Sequence, residues 1–175
     1  MRLAPRLFYL LTLMTVVIAQ VAQAQVRPTT KVFIPACNQR DLNRAYIAAL
    51  NNLRHKLDPH ASLVQFDSGL YVGAVLHAAT LTKADSLFHS LPPALRSAEL
   101  CGYVGNSVGH NPVKIAKHLL EQFENSERHC LLQSSTTHIY IAIAAGERYA
   151  VVKLAEEPTP STKAERAAYV KLGIE

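Results

Sequence analysis

Two runs rich in β-branched and apolar residues flank the turn Ala145-Gly146: Thr137-His138-Ile139-Tyr140-Ile141-Ala142-Ile143-Ala144 and Tyr149-Ala150-Val151-Val152-Lys153-Leu154. Such runs, bounded by a turn, predict a β-hairpin. This is what most constrains the fold, because everything upstream reads at a different period. A shorter strand is expected at Leu100–Val104.

Three upstream segments carry apolar residues at helical spacing, each opened by a residue suited to cap a helix. Asn38, with Asp41 three residues on, precedes Leu42, Tyr46, Ala49, Leu50, Leu53 and Leu57, and Asp58-Pro59 closes the segment. Asp67 precedes Leu70, Ala74, His77, Ala78, Leu81, Ala84 and Phe88, a stripe expected to run to Leu91-Pro92-Pro93. Asn111 is followed by Pro112 at the first helical position, then by Ile115, Leu119, Leu120 and Phe123. Three helices largely segregated from a small sheet define an α+β chain.

The ends read differently. Arg2 and Arg6 precede an apolar run from Leu7 to Ile18, and Ala22-Gln23-Ala24 fits a cleavage site, so residues 1–24 are expected to be a signal peptide. The run is shorter than the ~20 residues of a spanning helix, and no later segment is long and apolar enough to span. The chain is therefore expected to be secreted or periplasmic, with no transmembrane segment after cleavage. Residues 25–38 form an extended lead-in, 39–155 the domain, and 156–175 a linker and tail in which Lys163–Lys171 has helical potential. Loss of Arg2 and Arg6 takes the formal charge from +5 to +3. No basic stripe with interleaved aromatics is present, which argues against nucleic acid as a partner. No Gly-rich phosphate loop, nucleophile elbow, H-E-x-x-H or paired C-x-x-C motif occurs.

Several segments, in order, resemble the CAP superfamily: the cysteine-rich secretory, antigen-five and pathogenesis-related proteins and their bacterial relatives with SCP-like extracellular domains. Leu50-Asn51-Asn52-Leu53-Arg54 resembles the end of the family's opening helix. Val64-Gln65-Phe66-Asp67-Ser68-Gly69-Leu70 is similar to L-x-W-D-P-x-L, and Phe88-His89-Ser90 to the end of F-S-H-S. Ala98-Glu99-Leu100-Cys101 stands where the family has G-E-N-I. Phe123-Glu124-Asn125-Ser126-Glu127-Arg128-His129 is similar to W-M-N-S-P-G-H, and Thr137–Ala144 to T-x-I-G-V-G-V-A. The resemblance covers residues 39–155 and implies an α-β-α sandwich, with about three main helices around a small, mainly antiparallel sheet. The chain departs from the pattern around Glu99, at Phe123 in place of tryptophan, and at Ser126 where many eukaryotic members carry a second glutamate.

The resemblance implies a cleft lined by His89, Glu99 and His129. Two imidazoles and a carboxylate suit zinc, with His89 and His129 as the expected ligands, or general acid–base work. A structural role also accounts for each. His89 and His129 lie near helix ends where a cation complements the dipole, and Glu99 can simply be solvated. His77 is expected as a hydrogen-bonded core histidine. His118 and Glu121 are expected to face solvent, and His138 to be exposed, while His55 and His60 carry no pattern.

If Glu99 and His129 share a cleft, Cys101 and Cys130 lie on adjoining backbone. A Cys101–Cys130 disulfide would close a loop of about 30 residues, worth ~3 kcal/mol. Cys37 paired with either of them, or Cys101 and Cys130 as small buried hydrophobes, are the alternatives. Functionally, the resemblance implies a binding or interaction module for a lipid, sterol or protein ligand, modulated by metal. The second reading is a metal-dependent peptide or ester hydrolase, and the third an envelope-associated structural protein with a vestigial cleft. No catalytic residue is assigned.

Overall fold

The computed structural model describes residues 33–90, 97–105 and 109–160. The expected signal peptide, most of the lead-in, the Leu91-Pro92-Pro93 stop and the Lys163–Lys171 segment lie outside them. Four helices and four strands follow in the order α1 (Gln39–Leu57), β1 (Gln65–Phe66), α2 (Ser68–Ala84), β2 (Ser97–Tyr103), α3 (Pro112–Glu124), α4 (Glu127–Ser134), β3 (Tyr140–Ala145) and β4 (Tyr149–Ala155).

The expected caps form. Asn38 Oδ1 accepts from Asp41 N, Asp67 Oδ1 from Leu70 N, and Asn111 Oδ1 from Val113 N and Lys114 N, satisfying amides that a helix N-terminus leaves unpaired. One boundary differs from expectation. The second helix stops at Ala84, short of the prolines, because Asp85 adopts left-handed backbone with φ 50°. Its carboxylate is held there by Arg148 and by the Tyr149 hydroxyl at 3.0 Å. The chain from Ser86 to Ser90 is therefore non-helical, and His89 lies in a loop rather than on a helix end.

The sheet runs β1-β3-β4-β2. The hairpin forms as expected, β3 and β4 pairing antiparallel from Tyr140↔Ala155 to Ala145↔Ala150. β2 pairs antiparallel with β4, with Glu99 opposite Lys153. β1 adds a short parallel pair, Gln65↔Tyr140 and Phe66↔Ile141. Helices cover both faces, confirming the α-β-α sandwich. On one face Leu42, Tyr46 and Leu50 of α1 and Ile115, Leu119 and Phe123 of α3 pack on Leu100, Ile141, Ile143, Val152 and Leu154. On the other, Leu70, Ala74, Ala78 and Leu81 of α2 pack on Cys101, Ala142, Ala144 and Val151. Burial on both sides explains why β3 and β4 read as near-continuous apolar runs rather than alternating ones.

Beyond β1 the outer edge of β3 is completed by side chains. Asn43 Nδ2 donates to Ile143 O and its Oδ1 accepts from Ile143 N, at 2.8 and 2.9 Å. One turn earlier, Gln39 does the same with Ala145, at 3.1 and 3.0 Å. The two carboxamides, four residues apart on one helix face, stand in for a strand. Ala36 N then donates to Ala145 O.

The segment after β4 is tied to the start of α2. Thr159 N donates to Asp67 Oδ2 at 3.0 Å, and a Cβ on Gly69 would lie 2.6 Å from the Thr159 carbonyl oxygen. Gly69→Ala is therefore expected to displace this segment and cost about 1–3 kcal/mol, the usual range for overpacking, read as a lower urea midpoint at unchanged m-value.

Candidate functional site

The site centres on Glu99, which projects from β2 toward α2 on the same side as Cys101 two residues on. Its carboxylate is 9% exposed. Oε2 accepts from Lys153 Nζ at 2.6 Å, from Ser90 Oγ at 2.6 Å and from His77 Nδ1 at 2.9 Å. Oε1 accepts from Ser90 N at 2.8 Å and faces His89 Nδ1 at 3.4 Å and Cys101 Sγ at 3.5 Å. Burial alone would raise this carboxyl. The hydrogen bonds from Lys153, Ser90 and His77 together outweigh burial and hold it down at about 2.

Each partner has a local cause. Lys153 is delivered by the ladder opposite Glu99, and its stem crosses α2 at Gly73, where a Cβ would lie 3.2 Å from its Cδ and Cε. Ser90 arrives because α2 ended early. His77, on the buried face of α2, is 6% exposed and packs against the Phe88 ring at 5.5 Å between centroids. An ionised carboxylate only accepts, so His77 Nδ1 carries the hydrogen, and its Nε2 is buried with no hydrogen-bond partner.

His89 is 55% exposed, at the mouth of the site. Its ring meets that of His129 edge-on, centroids 6.0 Å apart, and His129 packs in turn on Phe123 at 5.3 Å. Partial burial, and then the neighbouring His89, lower the His129 pKa, favouring its neutral form. The three residues expected from the sequence, His89, Glu99 and His129, are thus brought together across β2, the loop after α2 and the helix after α3.

That last helix was not anticipated: His129 belongs to α4 rather than to the loop after helix three. α4 is fixed by Gln133, fully buried, whose Oε1 accepts from Tyr46 Oη at 2.9 Å and whose main-chain oxygen accepts from Arg54 Nε at 2.7 Å. Arg54, 1% exposed, also donates from Nη1 to His138 O at 2.9 Å. Burial lowers its pKa to about 10, against a smaller opposite effect of Tyr46, so it remains charged at neutral pH.

The Cys101–Cys130 disulfide is not formed; Cys37, Cys101 and Cys130 all carry free thiols. The reason is strand pleat: Cys101 faces α2 and contacts Glu99 and His89, the latter at 3.6 Å from its Sγ. Burial, followed by the Glu99 charge, pushes the Cys101 thiol well up. Cys37 is raised to about 11, by burial and then Asp41. His138 is half-buried rather than exposed, with Nδ1 2.9 Å from Ser135 Oγ. Lys153 and Ser90 were missed as site residues. The signal for Lys153 was a lone lysine inside the apolar run of β4, on a sheet with both faces covered.

The architecture is that of the SCP-like, or CAP, fold. It is similar to an outer surface protein from Borrelia burgdorferi, with TM-score 0.56 and 15% identity over 71% of this chain and 98% of that one. An extracellular protein containing an SCP domain from Bacillus anthracis matches with TM-score 0.54 and 11% identity, over 68% of this chain and 41% of that one. At these identities the likeness is one of fold. No protein-family model and no curated protein matches the sequence.

Proposed function

We propose that this protein is an extracytoplasmic SCP-fold binding module, not a hydrolase, and that its ligands meet it at the His89/His129 mouth of the Glu99 site. The observation that carries this reading is the condition of Glu99. A hydrolytic general base works best with a pKa near the operating pH. Glu99 sits at about 2 with an ammonium, a hydroxyl and an imidazole already on Oε2, so it is a poor base and a rigid fixed charge. The export signal read at the N-terminus, and neighbours that are outer-surface and extracellular proteins, support work outside the cytoplasm. By fold analogy, a lipid, a sterol or a protein is the class of ligand to try.

The test pairs an activity assay with a binding assay on the signal-free protein. Peptide and ester panels, with and without zinc, are expected to show no turnover above buffer, while labelled sterol or fatty acid binds saturably and at least tenfold more weakly to the His89→Ala/His129→Ala variant. Turnover that disappears in that variant would establish the hydrolase instead.

A further inference from the structure

We infer that Cys101, His89 and Glu99 form a binding site for a thiophilic divalent cation of the zinc class. The inference rests on the reading of this cleft as a ligand site and names one ligand for it. Three donor atoms of different chemistry form a nearly equilateral triangle: His89 Nδ1 to Glu99 Oε1 is 3.4 Å, Glu99 Oε1 to Cys101 Sγ 3.5 Å, and Cys101 Sγ to His89 Nδ1 3.6 Å. Nitrogen, oxygen and sulfur ligands about 2.0–2.3 Å from a tetrahedral zinc ion stand ~3.3–3.7 Å apart. The triangle therefore has the edges of one face of such a site before any ion enters.

The surroundings serve the same end. Lys153, Ser90 Oγ and His77 all bond Oε2. Among the described residues, Oε1 takes the Ser90 amide as its close donor and keeps a lone pair toward His89 and Cys101. Outer groups that orient a ligating carboxylate in this way are a regular part of metal sites. His77 adds a second, independent pointer. It joins Glu99 and Cys101 in a group whose donor atoms lie within 4.8 Å of one another, and it is buried with Nε2 unpartnered. His129, edge-on to His89, is a further imidazole at the open side. Lys153 opposes the cation from the other oxygen of Glu99. The thiolate supplies the second negative charge that offsets it, since the thiol proton passes to solvent as the sulfur–metal bond forms. A cysteine ligand also selects the metal, because thiolate favours zinc over magnesium or calcium.

The experiment is a Co2+ titration of the reduced, signal-free protein without oxygen. The expected result is a sulfur-to-cobalt charge-transfer band saturating at one equivalent and abolished by one equivalent of Zn2+. Cys101→Ser, checked by near-UV circular dichroism, loses the band, and His89→Ala weakens binding at least tenfold. A variant that fails to fold is replaced by X-ray absorption of the zinc-loaded wild type, expected to show one sulfur at about 2.3 Å and the remainder nitrogen and oxygen. Absence of the band, its persistence in folded Cys101→Ser, or a zinc shell without sulfur would overturn the site. Hydrolytic turnover with the cobalt spectrum intact would refute the binding-module reading and leave the metal site standing. Sterol or fatty-acid binding without the band would do the reverse.

Discussion

Lys153→Met is expected to destabilise the protein by about 3–5 kcal/mol at pH 7, the range for removing one partner of a buried ion pair. The methionine fills the space of the stem over Gly73, so packing is nearly conserved and the loss is electrostatic. What remains is Glu99, 9% exposed, stripped of the ammonium at 2.6 Å. The loss depends on pH in a definite direction. The folded pKa of Glu99 is depressed from 4.5 to about 2, so its contribution is fully present above 4.5 and is lost as pH falls through about 2. At ~1.4 kcal/mol per unit, that contribution is about 3 kcal/mol. In the variant the folded pKa rises, because burial is opposed only by Ser90 and His77. Urea unfolding of both proteins at pH 7, 5 and 3 is therefore expected to show a gap that narrows toward low pH. A gap below about 1 kcal/mol at pH 7, or one that does not change with pH, would contradict the assignment of Lys153 as the partner that keeps Glu99 ionised.

Arg54→Met is expected to cost about 2–4 kcal/mol and to disturb the site from a distance. Arg54 is the largest fully buried side chain among the described residues. Its two donors satisfy the carbonyls of Gln133 and His138, at the end of α4 and just before β3. Methionine leaves both unpaired, at ~1–3 kcal/mol for each buried orphan. Part of this is offset because the lowered pKa of Arg54 records a cost of burying its charge. Gln133 is also the residue that anchors α4, and α4 carries His129. The variant is therefore expected to loosen the His89–His129 contact as well, seen as shifted or broadened imidazole resonances of His129 by NMR. Arg54→Lys restores little, since a single ammonium does not reproduce the planar fork that reaches both carbonyls. Full stability in Arg54→Lys would show that charge alone matters at this position.

Much of the fold was legible because its signals are local. Asn38, Asp67 and Asn111 each cap the helix expected of them, and the Ala145-Gly146 turn joins the strands expected of it. What stayed hidden depends on partners remote in sequence. α2 ends at Asp85 because Arg148 and Tyr149 hold that residue in left-handed backbone, and nothing near Asp85 announces them. α4 has no side-chain cap bond at Ser126, and Gln133 is its one buried residue. It exists through Tyr46 and Arg54, so no apolar period marks it. Of the site, His89, Glu99 and His129 were found by resemblance, and His77 was read as a hydrogen-bonded core residue, which it is. Lys153 and Ser90 reach Glu99 only through strand register and an early helix stop. The disulfide expectation failed on a single point of pleat: proximity of backbone does not decide which way a cysteine faces.

The carboxamides of Asn43 and Gln39 also bear on how copies of this chain meet. An uncovered outer strand offers a ready template on which another molecule can add its own backbone, the first step toward fibrils and swapped assemblies. Along Ile143 and Ala145 that template is already taken by side chains rooted in a rigid helix, so the protein resists zipping to its neighbours there without needing another strand to guard it. Self-association from this side must therefore work through helix surfaces, which are easier to tune and to reverse.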